Sequence, residues 1–178
     1  MANGPEFVGA RISLCPFKDD FWTLCLDWYN DPEIIKLTSD DQSPLTAEEF
    51  RLMIEGDLSA EHSVVFGIRD EGNTPIGIGI LRNIDPLHRG CELHITIGSR
   101  SHWGRGYGTH AISSMRDYAF QTQGCHKVIS TPFAKNPRMI RCLEKCGFEK
   151  EGILRDALLQ ADSFIDVVLM GAINPADV

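Results

Sequence analysis

The sequence predicts a mixed α/β layer structure, a mostly antiparallel sheet flanked by helices, with elements in the order βααβββαβαββ. Three observations lead there. Apolar residues recur at helical spacing within 19–58, and from residue 63 onward the pattern changes to β-rich runs. Two of those runs are joined by Asp70-Glu71-Gly72-Asn73-Thr74, a turn composition that makes them an antiparallel hairpin. A glycine-rich run, Trp103-Gly104-Arg105-Gly106-Tyr107-Gly108-Thr109-His110-Ala111, then follows a strand-like segment and opens a helix-like one, so that a β-α-β unit closes the sheet.

Taken in order, residues 10–16 read as the first strand. Residues 19–30 follow as a helix, with Phe21, Trp22, Cys25 and Trp28 at helical spacing. A second helix fits 46–58, where Thr46 and Glu49 have capping-box spacing ahead of Phe50, Met53 and Ile54. The hairpin strands are 63–69 and 75–83. Residues 91–98 continue the sheet, with Leu93, Ile95 and Ile97 on one face and Glu92, His94 and Thr96 on the other. The helix over 109–123 carries Ala111, Ile112, Met115, Tyr118 and Ala119 as an apolar stripe and stops before Gly124. A strand over 126–131, a helix over 136–146 closed by Gly147, and strands over 148–151 and 164–171 complete the chain. No internal repeat or low-complexity segment interrupts it.

A chain of 178 residues with 43% hydrophobic content can bury one sizeable core, and one domain spanning 1–178 is expected. No stretch approaches ~18 consecutive apolar residues, and residues 1–6 lack the basic patch and apolar core of a signal peptide. A cytoplasmic protein without membrane partners is the expectation. The net charge of −8 opposes nucleic-acid phosphates. It suits cationic partners such as polyamines or basic peptides, although an acidic surface that serves only solubility is the simpler account. Cys15, Cys25, Cys91 and Cys125 are isolated, and Cys142 with Cys146 is the one helical i,i+4 pair, so free and mostly buried thiols are expected. The six histidines form no H-E-x-x-H or similar cluster, and no metal site is expected.

The glycine-rich run has the chemistry of an anion site. Glycines let backbone N–H groups crowd together, and the first turn of a helix adds unpaired donors and the positive end of its dipole. A phosphorylated ligand follows. The triphosphate pattern G-x-x-x-x-G-K-[ST] is absent. Gly106-x-Gly108-x-x-Ala111 satisfies the dinucleotide pattern G-x-G-x-x-G/A, but about 20 residues on, where an acidic ribose ligand belongs, the chain reads Ile129-Ser130-Thr131-Pro132-Phe133. Two strand-like segments also precede the glycines, whereas a dinucleotide unit usually begins its domain.

The wider stretch resembles the GNAT superfamily of N-acetyltransferases, in particular the branch that includes the ribosomal-protein N-terminal and spermidine acetyltransferases. The family pattern [QR]-x-x-G-x-[GA] aligns as Trp103-Gly104-Arg105-Gly106-Tyr107-Gly108, with Trp103 at the Gln or Arg position. The resemblance continues through Asn136-Pro137-Arg138-Met139-Ile140-Arg141-Cys142-Leu143-Glu144-Lys145-Cys146-Gly147-Phe148 and Glu151-Gly152-Ile153-Leu154-Arg155. Near the start it extends over Ala10-Arg11-Ile12-Ser13-Leu14-Cys15-Pro16, with Cys15 where the family has Arg, and Trp28-Tyr29-Asn30-Asp31-Pro32-Glu33.

That resemblance implies acetyl-CoA as cosubstrate and a primary amine, on a small molecule or a peptide, as acceptor. It also implies that the 91–98 strand diverges from the 126–131 strand, which makes Ile95, Thr96 and Ile97 the candidates to pair with pantetheine. The pyrophosphate is expected on the N–H groups of Trp103, Gly104, Arg105, Gly106, Tyr107, Gly108 and Thr109. Asn136 matches the family Asn near pantetheine; as a residue it is equally a helix cap. A homodimer is implied as well, with the apolar run 164–173 as a strand able to supply an edge, although core packing explains that run equally well.

Acyl transfer to an amine needs a group to take the ammonium proton and a donor for the oxyanion. Glu92 stands where the histone-acetylating members of the superfamily carry their catalytic Glu, and is the candidate base, directly or through a water. A substrate-orienting or structural carboxylate is the other reading of Glu92, and Glu151 is a second candidate. The departure from the family is Leu143, where many members have a Tyr thought to protonate the leaving thiolate. Leu143 is expected to line the channel near the thioester, with water, Cys142 or Cys146 donating instead. A transferase reacting through a ternary complex is the reading of the whole; a binding protein that senses acyl-CoA without turnover is the alternative.

Overall fold

A computed structural model of the chain describes residues 6–8, 11–39, 41 and 43–177; Ala10 of the expected first strand and residues 1–5 of the amino-terminal stretch lie outside them. Strands β1 (Phe7–Val8) and β2 (Ile12–Pro16) lead into three helices, α1 (Asp19–Tyr29), α2 (Pro32–Thr38) and α3 (Ala47–Ser59). Strands β3 (Val64–Asp70), β4 (Pro75–Asp85) and β5 (Gly90–Ile97) follow. Helix α4 (Tyr107–Gln121), strand β6 (Lys127–Ser130), helix α5 (Pro137–Lys145) and the hairpin β7 (Glu149–Gln160) with β8 (Ser163–Ile173) complete the order.

The expected order βααβββαβαββ is present, with β1 and α2 in addition. Eight strands form one sheet in the order β1-β2-β3-β4-β5-β6-β8-β7. Every neighbouring pair is antiparallel except β5 and β6, which run parallel because α4 carries the chain back over the sheet between them.

Local chemistry accounts for the helix starts. Thr46 and Glu49 close the expected capping box, Glu49 N–H donating to Thr46 Oγ1 at 3.2 Å and Thr46 N–H to Glu49 Oε2 at 2.8 Å. The α2 helix begins on Asp31, whose Oδ1 accepts the Glu33 N–H at 2.8 Å, with Pro32 next in the chain.

The carboxy-terminal hairpin differs from the expectation of two short strands. β7 runs to Gln160, and its turn residues Ala161 and Asp162 both have positive φ, as a tight hairpin turn demands. Register shifts at Lys150/Gly152 and Leu154/Leu158 break the alternation that would have marked β7 as one strand. β8 lies between β6 and β7, so the run 164–173 is interior to the sheet and β7 is its edge.

The sheet buries both faces. On one, Leu14, Phe66, Ile68, Leu81 and Leu93 pack under Ala111, Ile112, Met115 and Ala119 of α4 and Leu143 of α5. On the other, Val65, Ile78 and Ile80 meet Phe21 and Cys25 of α1 and Phe50 and Ile54 of α3. Each such fully buried Leu, Ile, Phe or Met contributes about 1.5–3 kcal/mol through removal from water. The alternation along β5 is the expected one, with Leu93, Ile95 and Ile97 packed toward α4. All six cysteines are free, and Cys142 alone among them is only half-buried.

Candidate active site

The central feature is a fork between two parallel strands. β5 pairs with β6 only over Gly90–Glu92, while on its other side it stays paired with β4 as far as Ile97. Ser130 ends β6 and its Oγ donates to Leu93 O at 2.9 Å, bridging the crotch. Beyond it the chain swings away to β8, with Val168 N–H on Pro132 O and Ala134 N–H on Asp166 O, both at 2.9 Å. Ile95, Thr96 and Ile97 therefore present an edge with no strand beside it, as the divergence expected from the sequence requires.

A cavity of about 320 Å³ opens along that edge. Its head is the glycine turn: Gly104 and Gly106 have φ of +72° and +90°, and Gly106 caps α4, so that the first free N–H groups of the helix follow a left-handed residue. Gly108 lines the cavity without obstructing it; a Cβ there would meet Ile97 and Cys142 only at 3.7 and 3.9 Å. The turn is braced to the strand it serves, because Trp103 Nε1–H donates to Ile97 O at 2.6 Å. Gly98, just past β5, admits the Trp28 ring at a point where any Cβ would collide with it.

The expected turn residues divide into two sets. Trp103, Gly104, Gly106, Gly108 and Thr109 line the cavity, but the Trp103 N–H expected to meet an anion is already given to Arg100 O at 3.1 Å. Arg105 and Tyr107 do not: the Arg105 guanidinium reaches back to Ser101 O at 3.5 Å, and the buried Tyr107 donates its hydroxyl to Glu71 at 2.9 Å. Asn136 is the helix cap foreseen for it and also reaches the cavity. Its Oδ1 accepts the Met139 N–H at 3.1 Å as the cap of α5, and it lines the cavity.

Sequence reasoning missed the cations. Arg138, Arg141 and Lys145 of α5 face the cavity at i, i+3 and i+7 spacing, a helical periodicity that could have identified them. Arg138 also stacks 4.8 Å above the Trp103 ring. The glycine turn at the start of α4, the three cations of α5 and a strand edge with no neighbouring strand together fit a ligand with phosphates at one end and amides along its length. Leu143 requires a correction. It is fully buried against α4, and its neighbour Cys142 is the side chain that lines the cavity, since successive residues of a helix point about 100° apart.

A second cavity of about 450 Å³ adjoins the first, sharing Leu37, Thr38, Ile95, Thr96, Asn136 and Met139 as common wall. The α2 wall is fastened by Gln160 Nε2–H on Ser39 O and by Asn136 Nδ2–H on Leu37 O at 3.4 Å. His94 and Tyr29 line this second cavity; Glu92 lines neither. Glu92 instead sits opposite Arg82 in the β4–β5 pairing, with Oε2 3.4 Å from His94 Nε2. Arg82 is committed to Asp57 by two bonds, Nε–H to Oδ1 at 2.7 Å and Nη2–H to Oδ2 at 2.5 Å. Burial, with the Arg82 charge, holds the His94 imidazole below its ordinary pKa, against the pull of Glu92. Burial pushes the Tyr29 phenol up to about 12. Glu151, the second carboxylate candidate, is paired with Lys127 at 2.7 Å. Among the described residues no three His, Cys, Asp or Glu side chains gather as a metal site.

Comparison with known proteins gives one consistent answer. A model of the acetyltransferase (GNAT) domain matches residues 11–149. An uncharacterized N-acetyltransferase, p20 of Bacillus licheniformis, is 29% identical over 88% of this chain and 88% of that protein. The spermidine N(1)-acetyltransferase of Vibrio cholerae is 30% identical over 59% of this chain and 60% of its own length. Among solved structures, spermidine N-acetyltransferase from Vibrio cholerae in complex with CoA and spermine superposes with a TM-score of 0.84 at 22% identity, covering 93% of this chain and 96% of that one.

Proposed function

The chain belongs to the acetyltransferase (GNAT) domain family, and from that premise we propose that it transfers the acetyl group of acetyl-CoA to a primary amine by direct attack while both substrates are bound. The observation that carries this reading is the fork: the free edge of Ile95–Ile97 and the amide turn ending on Gly106 line one cavity, and the acceptor-sized second cavity joins it at Ile95 and Thr96. The free edge supports pantetheine pairing, and the turn with Arg138, Arg141 and Lys145 supports pyrophosphate binding. The amine then approaches from the second cavity, so its nitrogen reaches the thioester only at the junction of the two.

The acceptor belongs to the class of small amines or peptide amino groups, and a polyamine such as spermidine is the first to test. Acetyl-CoA is expected to raise Tm, since it binds only the folded chain, whereas NAD and ATP leave it unchanged. Release of CoA with spermidine, a tripeptide with a free amino terminus or an aminoglycoside identifies a transferase. A Tm shift with acetyl-CoA but no release with any of them supports instead an acyl-CoA sensor.

A further inference from the structure

We infer that His94 is the residue that takes the proton from the acceptor ammonium, through Nδ1, and that Glu92 is a positioning residue holding its ring from behind. This rests on the transferase reading above and assigns the proton step within it. The geometry separates the two side chains. They share a face of β5, yet His94 lines the second cavity and Glu92 does not.

The ring has one orientation that suits its surroundings. Nε2 is closed off from solvent without a hydrogen-bond partner, and Glu92 Oε2 lies 3.4 Å from it. A lone pair on Nε2 facing a carboxylate would be repelled, whereas an N–H there is attracted and relieves the penalty of an orphaned buried polar atom. The proton therefore belongs on Nε2 and the lone pair on Nδ1, to which no described residue donates. The charged and titratable groups around the ring are Glu92 on its own strand, Arg82 on β4 with Asp57 of α3 bound to it, and Tyr29 of α1 and Asp41 across the cavity. Arg82 and burial keep the ring neutral at neutral pH, which is the state that can accept.

The step balances simply. The ammonium R–NH3+ gives one proton to Nδ1, and the amine lone pair forms the C–N bond to the thioester carbon. The C–S bond breaks as the carbonyl reforms, the second amine proton passes to the departing thiolate, and the imidazolium returns its proton to solvent. The net products are the amide, CoA–SH and one proton.

The test combines kinetics with a spectroscopic signature. His94→Gln is expected to lower kcat by about 10²-fold or more with spermidine or the tripeptide, to abolish the acid limb of the pH profile, and to keep the Tm shift given by acetyl-CoA. Glu92→Gln keeps the limb and moves it to lower pH, because losing the carboxylate makes the imidazolium less stable. Nitrogen-15 NMR of histidine-labelled protein is expected to show His94 as the Nε2–H tautomer, with His94→Asn for assignment should the glutamine variant fold poorly. Wild type active with His94→Gln near wild-type kcat and an intact acid limb overturns the role of His94 alone. An Nδ1–H tautomer also overturns it. No CoA release by wild type with either amine removes the transferase reading and this proton step together.

Discussion

Leu143 and Cys142 stand one residue apart on α5 and face different environments, one the core beneath α4 and the other the first cavity. A tyrosine at 143 consequently has no channel to enter. Leu143→Tyr is expected to lose about 1–3 kcal/mol by overpacking and to gain nothing in kcat; urea denaturation beside a CoA-release assay checks both, and a faster enzyme of unchanged stability would refute the placement. The motif match located this position in the chain but could not say which way its side chain turns, because that depends on how α5 is rotated against α4. Glu92 is a similar case. Counting from the glycines finds its position on β5, and alternation correctly groups it with His94 and Thr96, but only the packing of α1 and α3 decides which of the three meets the second cavity.

Among the elements, those with an uninterrupted period were legible and those with local irregularity were not. α3 declared itself by its capping box, and α4 by its stripe behind the glycines. α2 spans only Pro32–Thr38, too short to show a period, and its start on Asp31 and Pro32 went unread. β7 is long but shifts register twice, so its apolar residues do not alternate. The cationic face of α5 was present in the spacing of Arg138, Arg141 and Lys145, unread because amphipathic helices commonly carry such faces toward water. Its proximity to the amide turn implies a shared phosphate ligand. Arg141→Glu is expected to weaken acetyl-CoA binding by about tenfold, or about 1.4 kcal/mol, with the loss shrinking at high salt. Calorimetric titration at two ionic strengths measures it, and an unchanged Kd at both would detach α5 from the phosphates.

At the scale of the whole molecule, the early hairpins and the parallel pair followed from short connections and one crossover, whereas the insertion of β8 between β6 and β7 depends on pairing that no local pattern records. Long-range side-chain ties were not readable. The turn between β3 and β4 is one such tie: Asp70 Oδ1 accepts the Gly72 and Thr74 N–H groups at 2.9 and 2.8 Å, while Asp70 Oδ2 lies 3.3 Å from His102 Nε2 and Glu71 receives the Tyr107 hydroxyl. His102 lines the first cavity and Tyr107 begins α4, so the two acidic residues anchor the far side of the glycine turn. Any ligand that immobilises the turn must then also raise the free energy needed to open this hairpin tip, although no residue of the tip lines the cavity. Amide hydrogen exchange at Gly72 and Thr74 is expected to slow when acetyl-CoA is added, and to lose that response in Tyr107→Phe; equal exchange with and without acetyl-CoA in the wild type would show the tie to be slack. The tip would thus serve as a remote gauge of occupancy, readable on the opposite side of the turn from the chemistry.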